Sequence, residues 1–294
     1  MGDSKGWMSA GSDTKVPGPA LTVLPHAIGP VIKTAPRSWP PGRVAAVEAL
    51  WGNGYTTPGG GPETLRLVKP LGLDSSMAVL VLGGGLGGPA QTLSSNFGAW
   101  VASFEADPDL RNHAISRAKQ DPHGRITIVG WDRARPSFSA HSVNHALSLE
   151  ALRGNRPMPL LQSLAAALYP QGQIVLTELV SDEAPSIADR EFAAWCRLDD
   201  RLPQLPRSNE LTEGLQRLGF EIRVVEDLSE RHITQTLGGW REAVRAIAAG
   251  PRPGTHSAAS LVNEAELWLL RIRLMRRLGV RLMRWHAVGP GAVP

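Results

Sequence analysis

The glycine-rich stretch at residues 79–88, Val-Leu-Val-Leu-Gly-Gly-Gly-Leu-Gly-Gly, constrains the fold more than any other part of this chain. Its first four residues are apolar and can form a buried parallel strand. The glycines that follow allow a sharp turn into a helix with a ligand against the backbone. Residues 89–98 can form that helix, and residues 100–104 can form a second strand that ends at Glu105. This order of strand, glycine turn, helix, strand and carboxylate is typical of a nucleoside-binding βαβ unit.

Predicted strands and helices alternate over the rest of the chain. Further strands are predicted at residues 126–129, 143–149, 173–179, 221–225 and 280–288, with helical segments between them. Such an order favours a parallel sheet covered by helices on both faces. We therefore expect an α/β, Rossmann-like fold with a seven-stranded, mostly parallel sheet, helices on both faces and an antiparallel last strand.

The composition changes along the chain and predicts three parts. Residues 1–38 combine proline with Gly, Ser and Thr and show little periodicity, which predicts a disordered, Pro-rich extension. Residues 39–72 are predicted to form a helical segment that leads into the main domain and acts as a lid. Residues 73–294 are predicted to form the Rossmann-like domain, with helical insertions at 181–215 and 232–278.

Composition also excludes several classes of protein. The chain has 294 residues and one cysteine, Cys196, so an internal disulfide and a thiolate zinc site are excluded. His141 and His145 are too few to hold a metal, so we expect no metal site. The net charge of +4 is modest, and we expect no nucleic-acid partner. With no apolar run that could span a bilayer and no signal peptide, we expect a cytoplasmic protein without stable membrane insertion. The sequence leaves oligomer formation open.

Two classes of ligand fit the glycine turn. Gly83, Gly85 and Gly88 satisfy the pattern Gly-x-Gly-x-x-Gly, which also occurs in nicotinamide and flavin dehydrogenases. That match is weak on its own. Other features come in a more specific order: Asp132 after the third predicted strand, the turn at 169–172 before the fifth strand, and Gly-Phe at 219–220 before the sixth.

Together these residues resemble the class I S-adenosylmethionine-dependent methyltransferases. Residues 79–88 match the first motif of that family, Glu105 matches its ribose-binding acid, and Asp132 matches its third-strand acid beside the adenine. The loop at 51–60, Trp-Gly-Asn-Gly-Tyr-Thr-Thr-Pro-Gly-Gly, is similar to the loop before the first strand of phosphoethanolamine and related small-molecule methyltransferases. The resemblance covers about residues 43–288.

The resemblance implies S-adenosyl-L-methionine as the cofactor and a specific set of residues around it. The backbone of the glycine turn would contact the cofactor, and the acid at the end of the second strand would bind the ribose. The residues at the end of the third strand would lie beside the adenine. The implied cofactor-binding residues are Gly83, Gly85, Leu86, Gly87, Glu105, Ala106, Trp131 and Asp132.

The chain also departs from the family pattern. Val81 stands where the first motif usually has an acid, the segment 148–152 lacks the histidine of phosphoethanolamine enzymes, and Trp39 falls near the position of their catalytic tyrosine. We therefore assign no catalytic residue. The expected function is in-line methyl transfer to a small-molecule acceptor of the amine, hydroxyl or quinone type. The alternatives are a methyltransferase-like protein with a binding or assembly role and no catalysis, and a nicotinamide-dependent oxidoreductase.

Overall fold

The computed structural model describes residues 39–183, 185–250 and 254–291, and the predicted extension 1–38 lies outside this range. The helices are α1 (Pro41–Trp51), α2 (Gly60–Val68), α3 (Gly88–Phe97), α4 (Pro108–Ala118), α5 (Pro157–Ala167), α6 (Arg190–Leu198), α7 (Ser208–Arg217), α8 (Ser229–Ala249) and α9 (Thr255–Arg277). The strands are β1 (Ala78–Leu82), β2 (Trp100–Glu105), β3 (Ile126–Gly130), β4 (Val143–Leu149), β5 (Leu168–Val180), β6 (Glu221–Asp227) and β7 (Arg281–Val288). A 3-10 turn, Lys69–Leu71, follows α2.

The seven strands form a single sheet in the order β3-β2-β1-β4-β5-β7-β6. Strands β1 to β5 run parallel, and β7 is antiparallel to both of its neighbours. The expected Rossmann-like α/β fold is thereby confirmed, including the antiparallel last strand. In the six-stranded dinucleotide-binding fold, the strand order is 3-2-1-4-5-6, with no antiparallel strand between strands 5 and 6. The insertion of β7 between β5 and β6 therefore distinguishes this fold from that of the dehydrogenases.

Both faces of the sheet are buried, which explains why its central strands are almost continuously apolar. On β1, Val79 and Val81 face one hydrophobic cluster, while Leu80 and Leu82 face the other. The first cluster includes side chains of α1, α2, α3 and α9, and the second includes side chains of α5 and α7. Because successive strand side chains point to opposite faces, a single apolar strand supplies both cores.

Strand β5 starts earlier than the sequence predicts. Leu168 already pairs with Val143, and the register then shifts before Gln173 pairs with His145. Gln171 lies between these pairs with φ of 62°. The residues 169–172, expected to be a turn that precedes the strand, therefore form an irregular part of the strand itself, because a bulge accommodates extra residues without ending the pairing.

The predicted lid segment contains α1, α2 and the 3-10 turn. Helix α1 packs on α9, where the rings of Trp51 and Trp268 meet edge to face with centroids 5.0 Å apart. Helices α6 to α9 lie within or across the ends of the two predicted insertions, and the division of the chain into domains stays a prediction. Among the described residues, no helix combines the length and apolarity needed to cross a membrane.

Candidate functional site

A cleft opens at the carboxyl ends of β1, β2 and β4. It contains about 670 Å³ of atom-free space, part of it open to solvent. Gly83 follows β1, Glu105 ends β2, and Glu150 follows β4, and all three line the cleft. In the sheet, β1 lies between β2 and β4, so this is the point where the strand order reverses. Ligands of open α/β sheets bind at such a switch point.

Two glycines of the turn after β1 have no room for a side chain. Gly83 has φ of 69°, and a Cβ atom there would overlap the carbonyl oxygen of Leu149. Gly85 has φ of 57°, and its Cβ would lie 2.6 Å from Thr56 Oγ1. Because both residues also line the cleft, the turn presents bare backbone to whatever the cleft binds.

The loop between α1 and α2, residues 52–59, closes over the glycine turn, and we call it the lid loop. The Gly88 amide donates a hydrogen bond to the carbonyl oxygen of Gly54 over 2.8 Å. Glu48 of α1 accepts from the amide of Gly54 at 2.8 Å and from the guanidinium of Arg117 at 2.6 Å. Arg117 also donates to the carbonyl oxygen of Leu86 in the turn. One ion pair thus holds the lid loop and the glycine turn together.

Glu105 places a carboxylate beside the turn. Its Oε2 accepts from the amide of Gly85 over 3.1 Å, and its Oε1 accepts from the amide of Asp107 over 3.0 Å. The side chain is buried, and this burial raises the carboxyl pKa, while the guanidinium of Arg133 at 3.6 Å from Oε1 acts in the opposite direction. A buried carboxylate that lines a cleft can accept hydrogen bonds from the hydroxyls of a ligand.

Charged side chains surround the remainder of the cleft. Arg271 forms a bidentate pair with Glu150, with distances of 2.6 and 2.9 Å. Arg43 lies 2.8 Å from Glu264, and Arg153 lies 2.9 Å from Asp199. These pairs join α9, α1 and the loops that follow β4 and α6. The lining therefore offers cations and anions in equal measure.

Trp39 also lines this cleft. It is buried, its amide donates to Asp109, and the Arg43 guanidinium stacks on its ring at 3.8 Å from the centroid. The residue near the family position of a catalytic tyrosine is therefore held in the wall of the cleft, but an indole has no hydroxyl with which to move a proton.

The structure brings together four of the residues implied for cofactor binding. Gly83, Gly85, Glu105 and Trp131 all line the cleft. The others lie close in the chain but outside this lining: Leu86 and Gly87 are in the buried part of the turn, Ala106 is half-buried, and Asp132 is exposed with its Oδ1 accepting from the amide of Ala134. Their roles at a cofactor stay predictions.

Most of the charged residues that line the cleft were not predicted from the sequence. Glu150 could have been found, because it follows β4 at the edge where Gly83 and Glu105 end their strands, and carboxyl ends of parallel strands converge there. Arg43, Arg271 and Glu264 carry no such signal. They belong to α1 and α9, which are far apart in the chain and pack on each other beside the cleft. Among the described residues, no group of three or more metal-binding side chains is present.

No protein-family model matches the chain. A phosphoethanolamine N-methyltransferase 2 of Caenorhabditis elegans is 24% identical over 136 residues, which cover 46% of this chain and 31% of the relative. A sterol 24-C-methyltransferase of Gibberella zeae is 24% identical over 224 residues, 68% of this chain and 58% of the relative. The chain thus matches less than two thirds of the length of either relative.

Among solved structures, the phosphoethanolamine N-methyltransferase 2 of Haemonchus contortus has a TM-score of 0.72 and 19% identity, over 84% of this chain and 57% of that one. It was determined with phosphomonomethylethanolamine and S-adenosylhomocysteine. At this identity the match shows the fold. In sequence and in fold, the chain therefore resembles the class I S-adenosylmethionine-dependent methyltransferases, phosphoethanolamine methyltransferases among them.

Proposed function

We propose that this chain is an S-adenosylmethionine-dependent methyltransferase that acts on a small-molecule acceptor. The observation that carries the proposal is the meeting of the bare glycine turn and the buried carboxylate of Glu105 in one cleft at the switch point of the sheet. The two relatives and the solved structure named above are methyltransferases, and this likeness supports the same function.

The residues of the cleft fit a nucleoside with a charged amino-acid end. Gly83 and Gly85 would let the backbone approach the cofactor, Glu105 would accept hydrogen bonds from the ribose hydroxyls, and Trp131 would pack beside the adenine. The paired arginines and carboxylates offer partners of both signs to the amino and carboxyl groups of the methionine end. When bound, the cofactor supplies a methyl group on a positively charged sulfur.

Methyl transfer mainly requires that the protein align the nucleophile with the methyl carbon and exclude water from the site. A productive geometry holds the nucleophile at about 3 Å from the carbon it attacks. The lid loop, tied to the turn by Gly54 and Gly88, is the element that would exclude water. Because alignment and the exclusion of water are the main requirements, a chain that lacks the catalytic tyrosine and the histidine of phosphoethanolamine enzymes can still support the reaction.

A second reading, a methyltransferase-like protein without catalysis, is favoured by Val81. This residue is fully buried in β1 between Ser103 and Leu147, where the family's first motif usually has an acid. A side chain without hydrogen-bonding groups there cannot help to hold the turn or the amino-acid end of the cofactor. This reading predicts cofactor binding without turnover.

Calorimetry with S-adenosylmethionine, S-adenosylhomocysteine and NAD⁺ separates the readings, followed by a radiolabelled methyl-transfer assay on a panel of acceptors. We expect both adenosyl compounds to bind and NAD⁺ not to bind. Binding of NAD⁺ alone would overturn the proposal, and binding of the adenosyl compounds without methyl transfer on any acceptor would favour the non-catalytic reading.

Glu105→Ala tests the assigned ribose contact. Loss of hydrogen bonds to a charged group is worth about 1–3 kcal/mol, so affinity for S-adenosylhomocysteine should fall about 5- to 150-fold. Glu213→Ala is the matched control, because Glu213 is exposed on α7 and pairs with Arg217 in its own helix. Thermal melts of both variants verify folding. Unchanged affinity in a folded Glu105→Ala protein would refute the ribose assignment.

A further inference from the structure

A second cleft adjoins the first. It contains about 630 Å³ of atom-free space, part of it open to solvent, and it shares Thr57, Gly83, Leu149 and Glu150 with the first cleft. Gly83 therefore lies at the boundary, where the glycine turn faces both spaces. If the cofactor occupies the first cleft, as proposed above, the second is the space from which an acceptor can reach it.

The walls of the second cleft are largely apolar. The apolar residues include Pro58 of the lid loop, Leu67 of α2, Pro89 of α3, Leu282 of β7, and Leu228, which precedes α8. Apolar walls favour a ligand that buries hydrocarbon, since the free energy gained grows with the apolar area removed from water.

The charged groups of this cleft already have partners in the protein. Glu63 accepts from Arg231 at 2.7 Å and from Gln235 at 2.8 Å, and it also pairs with Arg66. Glu150 accepts hydrogen bonds from both terminal guanidinium nitrogens of Arg271, Nη1 and Nη2. Arg231 is the one arginine that the described residues contribute to the lining, and it is bound to Glu63. A phosphate entering here would meet a cation that a carboxylate already neutralises, together with a second carboxylate.

His232 is the polar side chain of this cleft that stands out. It lines the space from the first turns of α8 and is only 4% exposed. Its Nε2 has no hydrogen-bond partner within the described part of the chain. Its ring packs against Trp268, with centroids 5.8 Å apart. A buried imidazole nitrogen without a partner is destabilising in an isolated protein, so a ligand group that pairs with it gains affinity and specificity.

We propose that the second cleft binds the methyl acceptor, that this acceptor is an uncharged and largely apolar molecule with a hydroxyl group, and that Nε2 of His232 hydrogen-bonds that hydroxyl. This inference rests on the proposed methyltransferase function. The pairing works in either ring tautomer, because a hydroxyl can donate to a bare Nε2 or accept from a protonated one. A phosphate dianion can only accept, and an ammonium group can only donate.

Burial and the nearby Arg271 guanidinium hold the His232 pKa well below its usual range. The ring is therefore neutral at physiological pH and attracts neither a phosphate nor an ammonium ion by charge. The proposal thus separates this chain from phosphoethanolamine methyltransferases, whose named substrate carries both of those charges. His232 acts here as a specificity-determining contact for the acceptor.

The test uses calorimetry on the full chain saturated with S-adenosylhomocysteine. The probes are geraniol and geranyl diphosphate, which share one apolar chain and differ by the diphosphate, together with 1-naphthol and phosphoethanolamine. We expect at least one of the two neutral alcohols to bind, and geranyl diphosphate and phosphoethanolamine to bind at least tenfold more weakly than that alcohol. His232→Phe keeps an aromatic ring but removes the hydrogen bond, and should weaken the alcohol about tenfold. His123→Phe, at an exposed position, is the control.

The outcomes separate the two proposals. Failure of the wild-type protein to bind S-adenosylhomocysteine refutes the proposed function and this inference with it. Normal binding of S-adenosylhomocysteine with no binding of either alcohol, or with tighter binding of a charged probe, refutes only the acceptor assignment. If His232→Phe loses S-adenosylhomocysteine binding as well, His232→Leu, which also lacks a hydrogen-bonding group, takes its place. If a His232 variant keeps normal affinity for S-adenosylhomocysteine and its affinity for the alcohol is also unchanged, the proposed hydrogen bond between His232 and the acceptor is refuted.

Discussion

A single methyl group at Gly83 should test the geometry of the glycine turn. Gly83→Ala introduces two separate penalties. The φ of 69° lies in the left-handed region, which destabilises an alanine by about 1–2 kcal/mol. The new Cβ would also overlap the carbonyl oxygen of Leu149, and relieving such crowding in a packed region typically costs about 1–3 kcal/mol. The expected total is about 2–5 kcal/mol.

Gly72→Ala is the matched control for this substitution. Gly72 has φ of 60°, but nothing lies within 4 Å of the position of its Cβ. This variant carries the backbone penalty without the overlap, and Gly72 lies outside the lining of both clefts. We therefore expect Gly83→Ala to be the less stable of the two by about 1–3 kcal/mol, which corresponds to several degrees in Tm for a protein of this size.

Urea unfolding followed by tryptophan fluorescence measures the difference, and calorimetry with S-adenosylhomocysteine measures the functional effect. Gly83→Ala should also lose S-adenosylhomocysteine affinity, since displacement of Leu149 moves a residue shared by both clefts. Gly72→Ala should keep it. Equal unfolding free energies for the two variants, or full affinity in Gly83→Ala, would refute the close contact between the turn and the end of β4.

Two further predictions concern an ion pair and a buried acid. Arg117→Met removes the guanidinium that joins Leu86 of the glycine turn to Glu48, the residue that holds the lid loop at Gly54, so amide hydrogen exchange in residues 52–59 should accelerate. Arg217→Met, in an exposed pair, should leave it unchanged. Burial raises the Glu178 pKa to about 7. Because the folded state then holds the proton more tightly, wild-type stability relative to Glu178→Gln should fall by about 3 kcal/mol as pH rises from about 4.5 to 7. Urea unfolding across that range checks this, and a pH-independent difference would contradict it.

The sequence alone was sufficient to predict the individual strands, turns and strand ends. The apolar run 79–82, the glycines and Glu105 predict β1, its turn and the end of β2, because strand burial, left-handed turns and strand-end carboxylates leave signals within about 25 residues of each other. The strands follow the predicted segments closely apart from the earlier start of β5, and α8 begins at Ser229, before the predicted helical insertion that starts at residue 232.

The tertiary structure determines which distant residues meet around those strands and turns. Glu150 and Arg271 are 121 residues apart and meet only because α9 crosses the carboxyl edge of the sheet. His232 is buried, with no partner for its Nε2 within the described chain, only because α8 packs against α1 and against Trp268 of α9. Periodicity and turn chemistry report on neighbours in sequence, whereas ion pairs and cavity walls depend on which distant elements pack together. For this reason the sequence predicts a nucleoside site at the glycine turn, whereas the fold was needed to reveal the second cleft beside that turn and the chemistry of its walls.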